Sequence, residues 1–391
     1  MPAAPAFAGA TKGPGMFSPL TKPDFGAASA DAQIYCRPTC FVDRPHELDD
    51  DCLRIADSMV WFAAWHISLR DGLTVKSAIV PIPEWDGWIA AMPDRLAQAA
   101  NAQRAGVARP RGVLQLGERK IRLNEPQLMG ILNVTPDSFS DGGKHVDAVA
   151  ATEAGFAMGA AGAAIIDVGG ESTRPAAPLV WEGDEIKRIE GVVSALARGG
   201  VAVSIDTRKA AVMEAALAAG ARIVNDISAL RYDDRAMEVV VHAGCPVVLM
   251  HAPSAKSDPH EGGNYAHVLF DVYDMLAERV AACVAAGVDP AKIIVDPGLG
   301  FGKGVGDNLA LINGLALFHT LGCPVLFGAS RKRMIGALDN EAPADQRLGG
   351  TVALHYQAAT QGAQLLRVHD IAENRQALRV WRGLRDAALT V

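Results

Sequence analysis

The feature that most constrains the fold of this chain is a regular alternation of short and long segments from about residue 127 to residue 391. Short apolar runs of β character alternate there with longer Ala- and Leu-rich runs of helical period, the last of them over Ile371–Leu389. The predicted strands are Leu128–Val134, Ala163–Val168, Val201–Ile205, Arg222–Asn225, Pro246–Met250, Lys292–Val295, Pro324–Phe327 and Ala363–Val368. Eight β-then-α units in about 265 residues match the α/β class and the size of a (β/α)8 TIM barrel. An open doubly wound sheet is the alternative, but it rarely needs eight uninterrupted units.

The chain before the first predicted strand divides into further segments. Residues 1–30 are rich in Ala, Pro and Gly without a period, which predicts a disordered leader. Residues 31–110 predict a small N-terminal α/β extension, and its elements are an extended segment at Ile34–Tyr35, helices over Met59–Trp65 and Glu84–Ala105, and a strand over Ser77–Val80. The barrel domain, 111–391, begins with a hairpin over Val113–Leu123. We expect the extension to be a structural or oligomer-forming appendage that is buried against the barrel, because it is short for a self-sufficient core.

Composition excludes several classes of partner. The chain has 37 Lys and Arg against 44 Asp and Glu, and the resulting net charge of −7 argues against a nucleic-acid partner. No apolar run reaches the roughly 18 residues of a membrane span, so no membrane association is predicted. Six scattered cysteines are typical of a reduced, cytoplasmic protein. A metal cluster of Cys36, Cys40, His46 and Cys52 is one alternative, but the spacing fits no standard zinc pattern.

Nearly every predicted strand ends in a polar or charged residue, which is unexpected for strands buried on both faces. These residues are Asn133, Asp167 with Glu171, Asp206, Asn225 with Asp226, His251, Asp296, Ser330 with Lys332, and Arg367 with His369. The carboxyl ends of barrel strands converge on one mouth, where catalytic residues collect. A single such residue is usually a turn former, but a full set of them is hard to explain in that way, because each buried charge costs several kcal/mol unless it is paired or liganded.

The loops after the strands carry a second signal. The segment Asn133–Gly143 is long, polar and ends in glycines, which is typical of a mobile loop that covers a substrate. The segment Asp296–Lys303 looks like a phosphate loop but fails the Walker pattern. Basic residues follow the seventh strand at Ser330–Arg333 and end the eighth at Arg367 and His369, where barrels often bind phosphate. Three cations and a possible imidazolium predict an anionic substrate group there.

No set of residues for nucleophilic catalysis is visible in the sequence. It contains neither G-x-S-x-G nor a cysteine with an obvious base, and no His pair has zinc spacing. The candidate site residues at the strand ends are carboxylates and amides that can bind a polar heterocycle, and cations that can bind a phosphate-bearing group. Such a site suits the displacement of a bound leaving group, in which positioning and electrostatics carry the rate.

The motifs at these strand ends resemble one family, the dihydropteroate synthases of the folate pathway. The segments that carry the resemblance are Gly130–Gly143, Asp167–Pro175, Ser204–Thr207, Asn225–Ile227, Asp296–Lys303, Ser330–Lys332 and Arg367–Asp370. They occur in family order, one per βα unit, and span about two thirds of the chain. Two loops depart from the family pattern, at Ala176 and at Ala252-Pro253-Ser254. We expect these departures to affect loop behaviour and inhibitor response more than the reaction.

The resemblance implies condensation of 6-hydroxymethyl-7,8-dihydropterin diphosphate with 4-aminobenzoate, giving 7,8-dihydropteroate and pyrophosphate, with Mg²⁺ as cofactor and Asn133 as its ligand. It implies catalytic roles for Asn133, Asp206, Asp296, Lys332, Arg367 and His369. It implies pterin binding by Asp206, Asn225, Met250, Asp296 and Lys332, and diphosphate binding by Asn133, Arg174, Arg367 and His369. It implies aminobenzoate binding by Thr173, Pro175, Phe301, Ser330 and Arg331. A homodimer is the expected assembly.

Two other functions are compatible with part of this pattern. A pterin-binding methyltransferase shares the barrel and the pterin-facing Asp and Asn, but it would have no use for the anion site at Ser330–Lys332 and Arg367. A catalytically silent pterin-binding protein would be expected to have lost some of these groups, and none is missing from the sequence.

Overall fold

The structure is a computed structural model that describes residues 17–48, 51–134, 144–172, 174 and 177–390. Predictions for the loop 135–143, for Thr173, Pro175 and Ala176, and for residues 1–16 of the leader lie outside these residues. No helix in the described part of the chain is both long and apolar enough to cross a membrane.

The N-terminal extension is a five-stranded sheet covered by helices. Its elements are β1 (Phe17–Pro19), β2 (Gln33–Val42), β3 (Leu53–Arg54), β4 (Trp61–Asp71), β5 (Thr74–Pro81), α1 (Trp85–Ile89) and α2 (Asp94–Ala108). The sheet order is β1-β5-β4-β2, with β3 also paired to β4. Strands β2, β4 and β5 are antiparallel, whereas β1 runs parallel to β5.

The predicted disordered leader is wrong for residues 17–30. Strand β1 pairs with β5, and a 3-10 helix over Lys22–Ala27 follows it. Phe25 is fully buried and packs edge-to-face on Trp88, with the ring centroids 6.1 Å apart. Leu20 is buried in the same core. The composition of this segment, rich in Ala, Pro and Gly, predicts disorder although it contains Leu20 and Phe25. The burial of these two apolar side chains stabilises an ordered conformation of the segment.

Two helix predictions in the extension differ from the structure. Met59–Trp65 lies mainly in β4, where Phe62 and Ala64 are buried and Trp61 and Ala63 are half-buried. A short apolar run does not by its periodicity distinguish a buried strand from a helix, and its pairing with β2 and β5 made it a strand. The predicted helix Glu84–Ala105 is split into α1 and α2 by a break before Pro93, because proline cannot continue a helix from the preceding turn.

The predicted hairpin is present and closes one end of the barrel. Its strands are β6 (Val113–Leu116) and β7 (Arg119–Arg122). Leu114, Leu116 and Ile121 are buried against the first residues of the barrel strands, among them Ile165 and Ile223. The hairpin therefore covers the amino-terminal ends of the strands, opposite the mouth at which their carboxyl ends meet.

The barrel has the eight parallel strands that the sequence predicts. They are β8 (Gln127–Asn133), β9 (Ile165–Gly169), β10 (Val203–Asp206), β11 (Ile223–Asp226), β12 (Val247–Met250), β13 (Ile293–Asp296), β14 (Leu326–Phe327) and β15 (Leu365–Val368). Strands β8 to β13 are neighbours in chain order, and β15 pairs with both β8 and β14. A parallel bridge between Val295 and Val325 joins β13 to the chain before β14 and closes the ring. The (β/α)8 fold is confirmed.

Helices surround this ring, and each strand is followed by at least one. They are α3 (Lys144–Ala161), α4 (Glu182–Arg198), α5 (Ala210–Ala219), α6 (Ala236–Ala243), α7 (Val268–Ala285), α8 (Val305–Asn313), α9 (Arg333–Leu338), α10 (Leu348–Thr360) and α11 (Ile371–Leu389). Helix α11 has the bounds that the sequence predicts. Both α9 and α10 follow β14.

The extension packs against the side of the barrel. Tyr35 of β2 stacks on Phe270 of α7 with ring centroids 4.1 Å apart, and its hydroxyl donates to the Asp274 carboxylate at 2.9 Å. Arg385 of α11 donates to the Asp43 carboxylate at 2.7 Å. Trp381 and Ala359 of the barrel helices are part of the buried core of the extension. The two units therefore share an apolar interface reinforced by partly buried polar contacts.

Candidate active site

The carboxyl ends of the barrel strands bring acidic, amide and basic side chains to one mouth. Arg367 of β15 donates from Nε to Asp167 Oδ2 at 2.7 Å and from Nη2 to Asp206 Oδ2 at 2.6 Å. Burial alone would lower the pKa of Arg367, but these two carboxylates raise it above its ordinary value. The guanidinium therefore stays charged and joins three strands at the mouth.

Asp167 organises this group from below and is not among the site residues that the resemblance implies. It is fully buried, and its Oδ2 also accepts a hydrogen bond from Asn225 Nδ2 at 2.9 Å. Its other oxygen, Oδ1, is buried without a partner among the described residues. The sequence signal was its place at the end of a predicted strand. Asp167 positions Arg367 and Asn225 rather than facing the mouth itself.

The pKa values of two carboxylates at the mouth, Asp206 and Asp296, are raised above their ordinary values. Burial raises the pKa of Asp206, and the charge of Arg367 opposes that shift. Burial also raises the pKa of Asp296, to about 6, although the Gly298 N–H and the Lys332 ammonium both lower it. The Gly298 N–H donates to Asp296 Oδ1 at 2.7 Å. Buried carboxylates near cations are typical of groups that recognise a polar ligand.

Lys332 lies at the mouth with its ammonium above an aromatic ring. Its ammonium is 4.4 Å from the ring centroid of Phe301, a cation–π contact. Phe301 in turn stacks on His260, with ring centroids 4.7 Å apart and an interplanar angle of 14°. Burial lowers the pKa of Lys332 to about 8, and Asp296 opposes that shift. The predicted residues Asp296, Phe301 and Lys332 thus share one wall.

The glycine-rich segment after β13 is fixed by Lys303, which the resemblance does not single out for a role. Its ammonium donates to the carbonyl oxygens of Gly298 at 2.8 Å and Phe301 at 3.1 Å, and it lies 2.9 Å from His251 Nδ1. Gly298 has a φ of +66°, and a Cβ at that position would lie 1.9 Å from the His251 carbonyl oxygen. Only glycine fits so close to another backbone. This packing aims Asp296 and Phe301 into the mouth.

Ser330 and His369 contact each other across the ends of β14 and β15. Ser330 Oγ is 2.8 Å from His369 Nδ1 and accepts a hydrogen bond from the His369 N–H at 3.2 Å. Burial and then Arg367 lower the pKa of His369 to about 4. The imidazole is therefore neutral near pH 7, and the possible imidazolium of the sequence analysis is not supported.

Arg331 adopts a left-handed backbone conformation between Ser330 and Lys332, with a φ of +55°. Its N–H donates to Thr351 Oγ1 at 3.0 Å, and its guanidinium forms a two-bond ion pair with Asp370. A non-glycine residue in this region is strained and persists only where its surroundings hold it. The strain allows its two neighbours to contact His369 and Phe301, whereas Arg331 itself contacts Asp370.

The remaining predicted residues differ in how close they come to this group. Asn133 ends β8 beside Gly169, and Asn225 lies in β11. Met250 ends β12 and is buried in a small apolar cluster with Phe301. Arg174 is exposed, and its side chain makes no hydrogen bond to the residues that the structure describes. Thr173 and Pro175 lie outside the described residues.

Asp226, a strand-end candidate in the sequence, does not face the mouth. Its carboxylate accepts hydrogen bonds from the Ser228 N–H at 2.6 Å, from Ser228 Oγ at 2.7 Å and from the Leu230 N–H at 3.0 Å. It is fully buried. Asp226 therefore fixes the turn after β11, the role that such a residue has most often.

A buried ion network lies beneath the loop after β9. Lys209 Nζ is 2.6 Å from Glu185 Oε2 and 3.1 Å from Glu171 Oε1. Glu171 Oε1 also accepts a hydrogen bond from the Val180 N–H at 2.9 Å, and Lys209 donates to the Val180 carbonyl at 2.7 Å. These bonds join both ends of the loop 171–180. Glu171, predicted as a mouth residue, thus anchors a loop instead.

The loop after β12 is one of the two places at which the sequence departs from the family pattern. The Ala252 carbonyl accepts a hydrogen bond from Arg231 Nη2 at 2.9 Å, and Ala252 is buried. A Cβ on Gly302 would lie 2.4 Å from Pro253 Cγ. The departure therefore lies against the glycine-rich segment, at the edge of the site.

Comparison with known proteins identifies the family. The family model described as "Pterin binding enzyme" matches residues 129–369. A dihydropteroate synthase from Escherichia coli strain K12 is 45% identical over 259 residues, which are 66% of this chain and 91% of the relative. This chain belongs to the dihydropteroate synthase family.

Solved structures of dihydropteroate synthases agree with this assignment. The Xanthomonas albilineans enzyme with 4-aminobenzoic acid has a TM-score of 0.66 and 43% identity, and the match covers 70% of this chain and 98% of that one. The same enzyme in complex with 7,8-dihydropteroate has a TM-score of 0.64 and 42% identity over the same shares. The N-terminal extension precedes the residues matched by the family model.

Proposed function

We propose that this chain condenses 6-hydroxymethyl-7,8-dihydropterin diphosphate with 4-aminobenzoate and releases 7,8-dihydropteroate and pyrophosphate. Its place in the dihydropteroate synthase family supports the reaction. The single observation that carries the proposal is the arrangement of charged side chains at the barrel mouth. Arg367 there lies between two carboxylates, and the charges of Asp296, Arg367 and Asp206 all act on the nearby Lys332 ammonium.

The pterin ring binds, in this proposal, between Asp206, Asn225, Asp296 and Lys332, with Met250 below it. A pterin presents both donors and acceptors along one edge, so it needs carboxylates, an amide and an ammonium together. Asp296 is held by the Gly298 N–H, which leaves its second oxygen for the ring. Asp206 uses only Oδ2 for Arg367. Each carboxylate therefore keeps one oxygen for a pterin N–H.

The diphosphate binds at Arg367, His369, Asn133 and Arg174. Arg367 has five N–H donors in a fixed fork, and the two carboxylates use only part of this capacity. The neutral His369 ring donates a hydrogen bond to the diphosphate from Nε2, the ring nitrogen that does not contact Ser330 Oγ. An oxygen-rich leaving group with a single amide ligand, Asn133, suits Mg²⁺, which keeps several waters and prefers substrate phosphates to protein cages. When bound, Mg²⁺ would neutralise part of the negative charge that develops on the leaving group.

Aminobenzoate binds beside Phe301, Ser330 and Arg331, and we propose that Thr173 and Pro175 complete that pocket. The pterin methylene carbon loses its bond to the diphosphate oxygen, and the electron pair leaves with pyrophosphate. The amine lone pair then forms the new C–N bond, and the amine loses one proton to pyrophosphate or solvent. Because the departing anion is stabilised first, the reaction needs no base strong enough to ionise an aniline.

The test is an assay of the full chain with both substrates and Mg²⁺, read by mass spectrometry. We expect dihydropteroate and pyrophosphate in equal amounts, and none when either substrate is omitted or EDTA is added. Arg367→Met is expected to lower turnover at least a hundredfold, because the fork stabilises the leaving group. Arg382→Met, at an exposed ion pair on α11, is the matched control. Full turnover by Arg367→Met would contradict the assigned role.

We further propose that the protein acts in the cytoplasm and as a homodimer. The six cysteines all lie among the described residues and none forms a disulfide, as expected in a reducing compartment. Sedimentation velocity at micromolar concentration is expected to give twice the monomer mass. A monomer at that concentration would contradict the dimer without affecting the proposed reaction.

A further inference from the structure

A second cavity lies outside the barrel mouth, at the junction of the N-terminal extension and the barrel. Its volume is about 380 Å³, within the range that small organic ligands occupy. Strands β2 and β4 supply one side, and the start of α7 and the helix α8 supply the other. Much of its lining is apolar, including Val268, Leu269, Phe270 and Leu317.

Two hydrogen-bond donors in this lining lack acceptors of matching strength. Arg37 is half-buried and forms no ion pair with the residues that the structure describes, and its hydrogen bond to the Asn313 carbonyl is 3.3 Å long. Tyr265 has a buried hydroxyl without a partner among the same residues. Buried donors are nearly always satisfied in native proteins, so the unpartnered Tyr265 hydroxyl, in the same lining as the weakly bonded Arg37 guanidinium, indicates a missing acceptor.

The charges around the cavity restrict what that acceptor can be. A guanidinium without a carboxylate partner favours an anion. Asp307 also lines the cavity, and its carboxylate already accepts the Gly304 N–H at 3.0 Å. A second negative charge on the ligand would be repelled by Asp307, which disfavours phosphate and dicarboxylates. The apolar lining requires that the rest of the ligand be hydrocarbon.

We propose that this cavity is a binding site for a small organic monocarboxylate with an apolar body. Its carboxylate accepts hydrogen bonds from Arg37 and Tyr265, and its hydrocarbon part packs on Leu269 and Leu317. The site is separate from the barrel mouth but shares a wall with it. The Tyr265 ring lies 5.8 Å from that of His251 and 5.9 Å from the Lys303 ammonium.

The test uses hexanoate as the probe, because a short aliphatic acid lacks the ring and amine of aminobenzoate. Isothermal titration of the full chain is expected to show one site, with hexanamide, the uncharged analogue, at least tenfold weaker. Arg37→Met keeps the apolar stem and is expected to weaken hexanoate at least tenfold. Tyr265→Phe is expected to weaken it roughly threefold. Arg44→Met, at an exposed ion pair of the same unit, is the matched control.

A second variant tests the proposal in case Arg37→Met or Tyr265→Phe fails to fold. Ala310 is exposed on α8 and lines the cavity, so Ala310→Leu fills it without removing a donor. We expect Ala310→Leu to abolish hexanoate binding at an unchanged melting temperature. Equal binding of hexanoate and hexanamide, unchanged binding by Arg37→Met and Ala310→Leu, or tighter binding of inorganic phosphate would each overturn the proposal.

Discussion

Charged side chains at the barrel mouth are held by one another and by the backbone. Arg367 pairs with Asp167 and Asp206, and Asp296 accepts a backbone N–H. Removing one partner of such a buried set leaves an uncompensated charge, which costs about 3–5 kcal/mol. The same pairing fixes each donor and acceptor in place before a ligand arrives, which reduces the ordering that binding requires.

Substitution of Asp296 tests the pterin wall. Asp296→Asn keeps the shape of the side chain and removes its charge, so it weakens a charge-assisted hydrogen bond worth about 1.5–3 kcal/mol. We expect pterin affinity to fall tenfold or more, measured by calorimetry on the folded variant. Asp339→Asn, on an exposed turn, is the control. Unchanged pterin affinity in Asp296→Asn would show that another group recognises the ring.

The raised pKa of Asp296 also predicts a dependence of stability on pH. Its pKa rises from 3.8 in the unfolded chain to about 6 in the folded protein. The folded state therefore binds more protons between these values, and its stability falls as pH rises through that window. Because asparagine resembles the protonated form, Asp296→Asn is expected to match the parent at pH 4 and to exceed it by up to about 3 kcal/mol at pH 7. Urea unfolding at both pH values measures this, and an equal difference at both would contradict it.

At the scale of elements, the sequence predicts strands of the barrel better than those of the extension. A strand buried on both faces has a continuous apolar run that ends in a polar residue, as at Asp206 and Asp296. In the extension, the apolar run Met59–Trp65 predicts a helix but lies mainly in β4, because the pairing of β4 with β2 and β5 depends on long-range contacts that no local pattern encodes. The same limit applies within the site. Lys303 and Asp167 act through neighbours distant in sequence, so their roles required the structure.

Lys303 provides a test of one such element, the glycine-rich segment after β13. Lys303→Met keeps the length of the side chain but removes its hydrogen bonds to Gly298 and Phe301. We expect the KM for the pterin substrate to rise about tenfold with a smaller change in kcat, because the segment positions Asp296 and Phe301 without touching the reacting atoms. Lys256→Met, at an exposed ion pair, is the control. An unchanged KM would show that the segment keeps its shape without Lys303.

At the scale of the whole molecule, the extension and the barrel stabilise each other. The role of residues 31–110 as a structural appendage stays a prediction, and their burial against α7, α10 and α11 supports it. We expect a 111–391 fragment to aggregate or to melt at a lower temperature, because Trp381 and Phe270 would be exposed. Removal of residues 1–30 is expected to lower the melting temperature as well, since it deletes Phe25.

Differential scanning calorimetry of these truncations measures the effect. A 1–16 deletion, which stops before β1, is the control. If the 111–391 fragment were soluble, equally stable and fully active, the extension would be an independent module and this interpretation would be wrong.

The central claim is that the mouth stabilises pyrophosphate as it leaves the pterin methylene carbon, and the fate of one oxygen tests it most directly. The pterin diphosphate can be labelled with ¹⁸O at the oxygen that joins the methylene carbon to phosphorus, and incubated with the protein, 4-aminobenzoate and Mg²⁺. The account predicts unlabelled dihydropteroate and one ¹⁸O in each pyrophosphate, because the carbon–oxygen bond breaks. Retention of the label on a pterin alcohol, without dihydropteroate, would contradict it.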